Sequence, residues 1–288
     1  MDKYYRRVPA EKLEQLKRFR QDHQLKQVEV NGITWEYLSA GDPAWQALLV
    51  LPGALGTAAS AWRLISLLEQ ELFHLVCPSY PARLDTMSAL ADGVVGLMRI
   101  KGIATTFVVG GAYGSMLAQV LTRRHPEIVT RLVLTHAYPP VAGRMKGLNT
   151  TLRLFRVAPM FLVRRILRLQ MTGSLPANPS AELLVVAAQI HETIDTRLTR
   201  QEALHIFWRM ADFDRQVFKR ADLEGWQGKT LILFEEDDPT TPEKLREELL
   251  ADYPGARVQV LSGGNKSKAM LELGEYVEVL KEFLRQVE

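Results

Sequence analysis

The stretch Phe107-Val108-Val109-Gly110-Gly111-Ala112-Tyr113-Gly114-Ser115-Met116-Leu117-Ala118 decides the fold of this chain. An apolar, β-rich run ends in a turn of small residues, and a helical pattern follows from Met116 to Arg124. Gly110 and Gly114 flank the turn, where a side chain would collide with the neighbouring strand and helix. The pattern predicts a tight strand-to-helix connection centred on Ala112.

This connection resembles the nucleophile elbow of α/β-hydrolases, Gly-x-Ser-x-Gly, in which a strained turn presents a serine hydroxyl. Ala112 stands at the serine position, so the resemblance implies an elbow without its hydroxyl. A dinucleotide-binding turn is the first alternative, but the glycines do not fit G-x-G-x-x-G, and no acidic residue follows at about 20 residues. The second is Ser115 in a shifted frame. It lacks a glycine two positions later, where Leu117 stands, and a packing role explains it more simply.

Composition limits the class of protein. The chain has 288 residues, 47% of them hydrophobic, which is enough for one large α/β core with an inserted subdomain. A net charge of +3 is too balanced for a nucleic-acid-binding protein. The single cysteine, Cys77, excludes an internal disulfide and fits a reducing compartment. No secretory signal and no apolar window of ~20 residues is found. We therefore expect a soluble, cytoplasmic protein.

Strands and helices alternate along most of the chain. An amphipathic helix over 9–22 precedes two strands around Asn31-Gly32, a dipeptide typical of a two-residue hairpin turn. The alternation predicts a mostly parallel, doubly wound sheet. Further strands are predicted at Ala47–Leu51, Leu72–Cys77, Thr105–Val109, Arg131–Thr135, Thr230–Phe234 and Arg257–Leu261, and further helices near Trp62–Leu68, Met87–Ile100, Met116–Arg124, Glu243–Asp252 and Lys268–Val287.

The middle of the chain has a different pattern. Between Pro139 and Leu223 the periodicity is helical, and Pro159, Pro176 and Pro179 interrupt it. A helical insertion between two halves of one sheet is typical of the cap of an α/β-hydrolase. The predicted organisation is therefore an α/β-hydrolase core over 1–138 and 224–288, with a helical cap over 139–223.

A serine hydrolase of this fold also needs an acid and a histidine, in the chain order Ser, Asp, His. Asp238 follows a predicted strand with the spacing D-x-x-x-P and is the candidate acid, with Asp237 as the alternative register. A solvated acidic loop explains these carboxylates equally well. The histidine position falls in the loop after Leu261 and is occupied by Asn265. An amide does not accept a proton at neutral pH, so the triad positions Ala112, Asp238 and Asn265 form a degenerate triad.

None of the six histidines is placed to replace the missing base. His136 alone stands at the carboxyl end of a predicted strand, and a hinge position beneath the cap is the favoured explanation for it. The oxyanion hole is expected to survive, because its donors are backbone N–H groups. The residue after the nucleophile position is Tyr113, and Ala54 lies in the loop after the first central strand. The pocket is therefore expected to bind a carbonyl, carboxylate or phosphate without reacting with it.

A set of short segments carries a resemblance beyond the fold: Leu51-Pro52, Gly56-Thr57-Ala58, Tyr80-Pro81, the elbow with Leu117-Ala118-Gln119 after it, Tyr253-Pro254, Ala256-Arg257 and Gly263-Gly264-Asn265. In these segments the chain resembles the maspardin-like branch of the α/β-hydrolase superfamily. The resemblance implies a non-catalytic binding protein that associates with endosomal and Golgi membranes through a receptor's cytoplasmic tail. Maspardin keeps a serine at the elbow, where this chain has Ala112.

The favoured hypothesis is a pseudoenzyme that binds a small molecule or an acidic protein partner in or near a capped pocket. The alternatives are an enzyme of another class, such as a lyase or cyclase using Tyr113 and Asp238, and a hydrolase with displaced catalytic residues. We expect no cofactor, no metal and no nucleic-acid partner. The early cap allows peripheral membrane contact, because seven basic residues and no acidic one lie between Pro139 and Ala181: Arg144, Lys146, Arg153, Arg156, Arg164, Arg165 and Arg168. The simpler explanation is that its apolar side covers the pocket and its arginines are solvated.

Overall fold

A computed structural model describes residues 2–144, 148–173, 175–176, 178–236, 238, 241–261 and 273–286. Eight strands form one sheet: β1 (Lys26–Val30), β2 (Ile33–Ala40), β3 (Gln46–Leu51), β4 (Phe73–Pro78), β5 (Thr106–Gly111), β6 (Val129–Thr135), β7 (Lys229–Glu235) and β8 (Arg257–Leu261). Their spatial order is β1-β2-β4-β3-β5-β6-β7-β8. The pairs β1–β2 and β2–β4 are antiparallel, and all the other pairs are parallel.

The antiparallel edge begins with the predicted hairpin. Asn31 and Gly32 both have positive φ, 51° and 72°, as a type I′ turn requires. Val30 pairs with Ile33 across this turn, so its two residues alone connect the strands. The Asn-Gly dipeptide therefore sets the register of β1 against β2.

The centre of the sheet is buried on both faces because helices cover it on each side. Successive residues of β3 point to opposite faces, so Leu49 and Leu51 join one hydrophobic core while Leu48 and Val50 join the other. The continuous apolar run in the sequence follows from this double coverage. The carboxyl ends of the parallel strands meet at one edge of the sheet, where the candidate site lies.

The helices follow the order expected for a doubly wound sheet. They are α1 (Asp2–Tyr5), α2 (Ala10–Asp22), α3 (Trp62–Leu68), α4 (Met87–Ile100), α5 (Tyr113–Arg124), α6 (Leu148–Val157), α7 (Met160–Thr172), α8 (Ala181–Thr196), α9 (Arg200–Arg215), α10 (Glu243–Asp252) and α11 (Leu273–Arg285). In the described part of the chain, no helix is both long and apolar enough to cross a membrane.

Four of these helices, α6 to α9, lie between β6 and β7 and no strand interrupts them among the described residues. Pro159 separates α6 from α7, and Pro176 and Pro179 lie between α7 and α8. Helix α9 begins with a capping box in which Thr199 and Glu202 bond each other's backbone N–H groups. The prolines thus act as the helix breaks that the sequence predicts.

Two helical boundaries differ from the sequence-based prediction. The elbow helix α5 begins at Tyr113, three residues before the predicted Met116, because the turn passes directly into the helix. The final helix is described over Leu273–Arg285, and the start predicted at Lys268 lies outside the described residues. The short α1 was not predicted from the sequence.

Candidate functional site

Ala112 connects β5 to α5 in a backbone conformation that is rare for a residue with a side chain. Its φ is 48° and its ψ is −111°, outside the regions that L-amino acids readily occupy. Its N–H donates to the Thr135 carbonyl at 2.9 Å, and its own carbonyl accepts the Ser115 N–H at 3.0 Å. Such a conformation costs about 1–3 kcal/mol, and hydrogen bonds on both sides of the residue hold it in place.

The flanking glycines are required by the space available. A Cβ atom on Gly114 would lie 2.4 Å from the Leu51 carbonyl oxygen at the end of β3. A Cβ atom on Gly110 would lie 2.4 Å from the carbonyl oxygen of Gly114 itself. Both distances fall far inside van der Waals contact, and both neighbours are backbone atoms. The two glycines therefore allow the close approach of strand and helix that forms the elbow.

Ser115 does not take the place of a nucleophile. Its side chain is buried, and its hydroxyl donates to the Ala112 carbonyl at 2.6 Å. This bond satisfies the hydroxyl within the first turn of α5. The geometry supports the packing role that the sequence favours for this residue.

The two backbone amides proposed as anion donors belong to neighbouring segments. Tyr113 is the first residue of α5, so its N–H has no carbonyl partner within the helix. The contact of Gly114 with Leu51 places the start of α5 against the end of β3. Ala54 lies in the loop after β3, which is closed by a 2.8 Å bond from the Gly56 N–H to the Gly53 carbonyl. The start of α5 and the Ala54 loop therefore meet at one edge of the sheet.

Aromatic and cationic side chains surround this edge. The Tyr113 ring is buried, with its centroid 6.0 Å from that of Tyr80. Burial raises the pKa of Tyr113 to about 12, and the Arg209 guanidinium beside it offsets part of the rise. The phenol is therefore neutral at pH 7 and can donate a hydrogen bond. Arg209 is held by the carbonyls of Leu84, at 2.7 Å, and Pro81, at 2.6 Å.

A cavity of about 400 Å³ lies between the loops after β3 and β4 and the helices α8 and α9. Its size is in the range of small-molecule sites. Its lining includes the predicted donor Ala54 and the charged residues Glu36, Arg197, Glu202 and Arg209. A larger cleft of about 550 Å³ lies at the amino end of β7, beside Trp226 and Tyr253. That cleft is at the wrong edge of the parallel sheet for a ligand site of this topology.

The candidate acid, Asp238, follows β7 and is buried. The Thr241 hydroxyl donates to its Oδ2 at 2.9 Å, which fixes one of its carboxylate oxygens. Because β6 lies between β5 and β7, Ala112 and Asp238 stand at the ends of strands two positions apart. The alternative acid Asp237 and the predicted histidine position Asn265 lie outside the described residues.

The structure also pairs two buried residues that sequence reasoning did not connect. The Nε2 atom of His136 lies 3.1 Å from Oε1 of Glu235, and both side chains are buried. His136 directly follows β6, with a positive φ of 48°, and Glu235 is the last residue of the adjacent strand β7. His136 also follows Thr135, whose carbonyl accepts the Ala112 N–H. A buried imidazole therefore lies beside the elbow.

Comparison with known proteins identifies the architecture. No protein-family model matches the chain. The enol-lactonase from Burkholderia xenovorans LB400 superposes with a TM-score of 0.75 and 17% identity, over 91% of this chain and 100% of that one. An alpha/beta hydrolase fold protein from Chitinophaga pinensis superposes with a TM-score of 0.70 and 15% identity, over 92% of this chain and 98% of that one. The chain has the α/β-hydrolase fold.

This α/β-hydrolase-fold chain also has a sequence relative among curated proteins. It is 23% identical over 245 residues to a protein of Serratia proteamaculans (strain 568) that carries the provisional name carbamate hydrolase RutD. The match covers 81% of this chain and 88% of the relative. At these identities the similarity establishes the fold and leaves the reaction of this chain open.

The α/β-hydrolase fold predicted from the sequence is thus confirmed, and it explains where the candidate residues lie. The elbow residue Ala112 and the amides of Tyr113 and Ala54 lie at the carboxyl edge of the sheet, at the ends of β5 and β3. Asp238 lies at the same edge, after β7. The sequence predicted His136 at the carboxyl end of a strand. Its partner Glu235 belongs to a run of carboxylates that a solvated acidic loop explained equally well. Among the described residues, no group of His, Cys, Asp and Glu is arranged to hold a metal ion.

Proposed function

We propose that this α/β-hydrolase-fold protein is a pseudo-hydrolase that binds a small-molecule or acidic protein partner at its elbow without forming an acyl-enzyme. The observation that carries the proposal is Ala112, which has the strained conformation of a nucleophile position and a methyl group in place of a hydroxyl. An alkyl side chain cannot attack a carbonyl carbon. The sequence relative carries the name of a carbamate hydrolase and one structural neighbour is an enol-lactonase, so the proposal is that this chain keeps the scaffold without the serine nucleophile.

The backbone supports binding without this nucleophile. The Tyr113 N–H stands at the N-terminus of a helix of 12 residues, where the helix dipole favours negative charge. Nearby, the cavity beneath α8 and α9 contains Arg209, a buried cation. A ligand with a carbonyl or carboxylate group fits both features.

The missing base is the second part of the proposal. Asn265 occupies the histidine position in the sequence, so a hydroxyl restored at position 112 would have no partner there to accept its proton. Membership of the maspardin-like branch belongs to the same proposal. It rests on the sequence motif Gly263-Gly264-Asn265, which lies outside the described residues.

Fluorophosphonate labelling and hydrolysis of short acyl esters test the absence of a serine nucleophile. We expect no labelling and no hydrolysis above the buffer rate. Stoichiometric labelling of one serine would overturn the proposal, and Ser115→Ala would then show whether that serine is Ser115. Native mass spectrometry tests whether the protein binds a small molecule. We expect an added mass that the folded protein retains and that is released on unfolding.

A second candidate function rests on the buried pair of His136 and Glu235 at 3.1 Å. An imidazole close to a carboxylate can act as a general base without a covalent intermediate, as in a lyase, a cyclase or a hydrolase with displaced catalytic residues. Turnover of an ester or lactone panel that His136→Gln abolishes and Ala112→Gly leaves intact would favour this candidate. Ser39→Ala is the control for His136→Gln. It removes a hydroxyl that contacts a different buried histidine, His74, at the amino end of β4.

A further inference from the structure

The outer sides of α6 and α7 expose apolar side chains that the fold of the core does not need. Five of the 12 large hydrophobic residues exposed in the described part of the chain lie between positions 154 and 169. Single exposed apolar residues are common on soluble proteins, but this clustering within 16 positions is not. The five residues are Leu154, Val157, Phe161, Leu162 and Leu169.

Helical spacing places arginines among these residues. In α6, Arg153 and Leu154 lie four and three positions before Val157, so both are its neighbours on the helix surface. In α7, Phe161, Arg165 and Leu169 recur every four positions. We call this set the cap face, and it comprises Arg153, Leu154, Val157, Phe161, Leu162, Arg165 and Leu169.

The opposite sides of the same helices pack inside the protein. Phe155 of α6 and Val163 and Leu167 of α7 are buried in the hydrophobic core. Helix α6 packs against α9, and α7 packs against α8. The inward sides therefore account for packing against α8, α9 and the hydrophobic core, and this packing does not explain the exposed apolar residues of the cap face.

The arginines of this segment differ in whether they have a partner within the protein. Arg144 forms an ion pair with the buried Asp214 at 2.6 Å, Arg168 pairs with Asp195 at 3.1 Å, and Arg164 donates to the Leu198 carbonyl at 3.2 Å. Arg153 and Arg165 are exposed and pair with no acidic residue among those the structure describes. No acidic residue occurs in the sequence between Pro139 and Ala181, so the cap face carries only positive charge.

We propose that the cap face docks on an anionic lipid surface. Its apolar side chains enter the boundary between headgroups and acyl chains, while its guanidinium groups bind lipid phosphates and carboxylates. Exposed aliphatic and aromatic side chains interleaved with unpaired arginines match this amphipathic boundary. The proposal concerns where the protein is held and is independent of the ligand at the elbow.

Flotation with vesicles of phosphatidylcholine, with and without phosphatidylserine, tests the proposal on the full chain. We expect binding only to the vesicles that contain phosphatidylserine, weakened by high salt. Each arginine near an anionic membrane contributes about fivefold in affinity, so Arg153→Gln with Arg165→Gln should weaken binding about 25-fold. The charge-matched control is Arg18→Gln with Lys244→Gln, two residues with 85% exposed side chains on other helices.

A second pair of variants tests the apolar contribution to membrane binding. Val157 is 81% exposed on the cap face, and Val217 is 77% exposed after α9. Val157→Ser should weaken binding severalfold, whereas Val217→Ser should leave it unchanged. Neither substitution removes a buried contact, so both variants should keep the wild-type urea midpoint.

Three outcomes would overturn the proposal. The first is absent or equal binding to neutral and anionic vesicles. The second is equal loss of binding in the cap-face variants and in their controls. The third is a concentration-dependent dimer, measured by analytical ultracentrifugation without lipid, that Val157→Ser disrupts. That result would assign the cap face to a second copy of the chain.

Discussion

The Ala112 N–H donates a 2.9 Å hydrogen bond to the Thr135 carbonyl, which joins the elbow after β5 to the end of β6. Ala112 and His136, the residue that follows Thr135, both have a φ of 48°. Two adjacent strands therefore end in strained residues that are connected through the backbone. Because this connection uses no side-chain atom of residue 112, the shape of the site does not depend on which side chain stands there.

The strain at Ala112 gives the first prediction. Glycine adopts positive φ freely, so Ala112→Gly should relieve about 1–3 kcal/mol of strain in the folded state. The glycine also makes the unfolded chain more flexible, which lowers the free energy of unfolding by about 0.5–1 kcal/mol. We expect equal or greater stability, by up to about 2.5 kcal/mol, in urea unfolding. The control Ala118→Gly, in the buried interior of α5, should destabilise by about 1 kcal/mol or more. Equal destabilisation by both variants would contradict the assignment of strain to Ala112.

The close approach at Gly114 gives the second prediction. Gly114→Ala places a Cβ atom 2.4 Å from the Leu51 carbonyl oxygen, so β3 and α5 must separate. We expect a loss of about 1–3 kcal/mol in the free energy of unfolding. Gly111→Ala is the matched control, because its Cβ atom would meet nothing within 4 Å. The control should change stability by no more than about 0.5 kcal/mol. A tolerated Gly114→Ala would mean that the elbow is looser than this contact indicates.

The proposed degenerate triad gives the third prediction. Ala112→Ser alone should hydrolyse esters no faster than wild type, because the new hydroxyl has no base, and Asn265→His alone should also be inactive. The double variant should exceed the sum of the two, since triad residues act as a unit. Its rate should still be low, because small misplacements of reacting groups are costly. Adding Asp238→Asn should remove most of the gain. Activity of Ala112→Ser equal to that of the double variant would reveal another base, with His136 as the first candidate.

Glu192 gives a prediction about pH. Burial alone would raise its pKa, but hydrogen bonds from Arg20 and from Tyr5, at 2.7 Å, outweigh burial and lower the pKa below 4.5. A lowered pKa in the folded state stabilises the protein above the pKa of the unfolded chain, and this stabilisation is lost as the pH falls. Glu192→Gln should therefore cost about 1–2 kcal/mol at pH 7 and progressively less in acid.

Urea unfolding at neutral and acidic pH measures this effect. The control Glu14→Gln changes an exposed carboxylate of α2 and should differ little from wild type at either pH. A cost for Glu192→Gln that does not change with pH would show that the charge of Glu192 is not what stabilises the contact.

Several parts of this structure follow directly from local sequence. The hairpin at Asn31-Gly32 was predictable because type I′ turns need residues that tolerate positive φ. The elbow was predictable because Gly110 and Gly114 are the only residue type that its backbone contacts allow. In both cases the cause lies within a few residues, so the pattern itself carries the information.

Other parts depend on which strands become neighbours. The pairing of His136 with Glu235 arises because β6 lies beside β7, although 99 positions separate the two residues in the chain. Helical periodicity in α6 and α7 predicted apolar and basic sides, but it could not show that Phe155 is buried while Phe161 is exposed. Burial is decided by the packing of α8 against α7 and of α9 against α6.

The contacts of α8 show how far the first residues of the chain contribute to the pocket. Tyr5 and Arg20 bond to Glu192, and Lys12 pairs with Glu182 at 2.7 Å, so the segment before the sheet braces the helix whose Thr193 lines the 400 Å³ cavity. A shortened chain that starts at β1 would keep all eight strands and lose this brace. The same segment also buries Leu16 and Phe19 in the hydrophobic core, so ligand studies need the helices before β1 as well as the sheet and the helices α6 to α9.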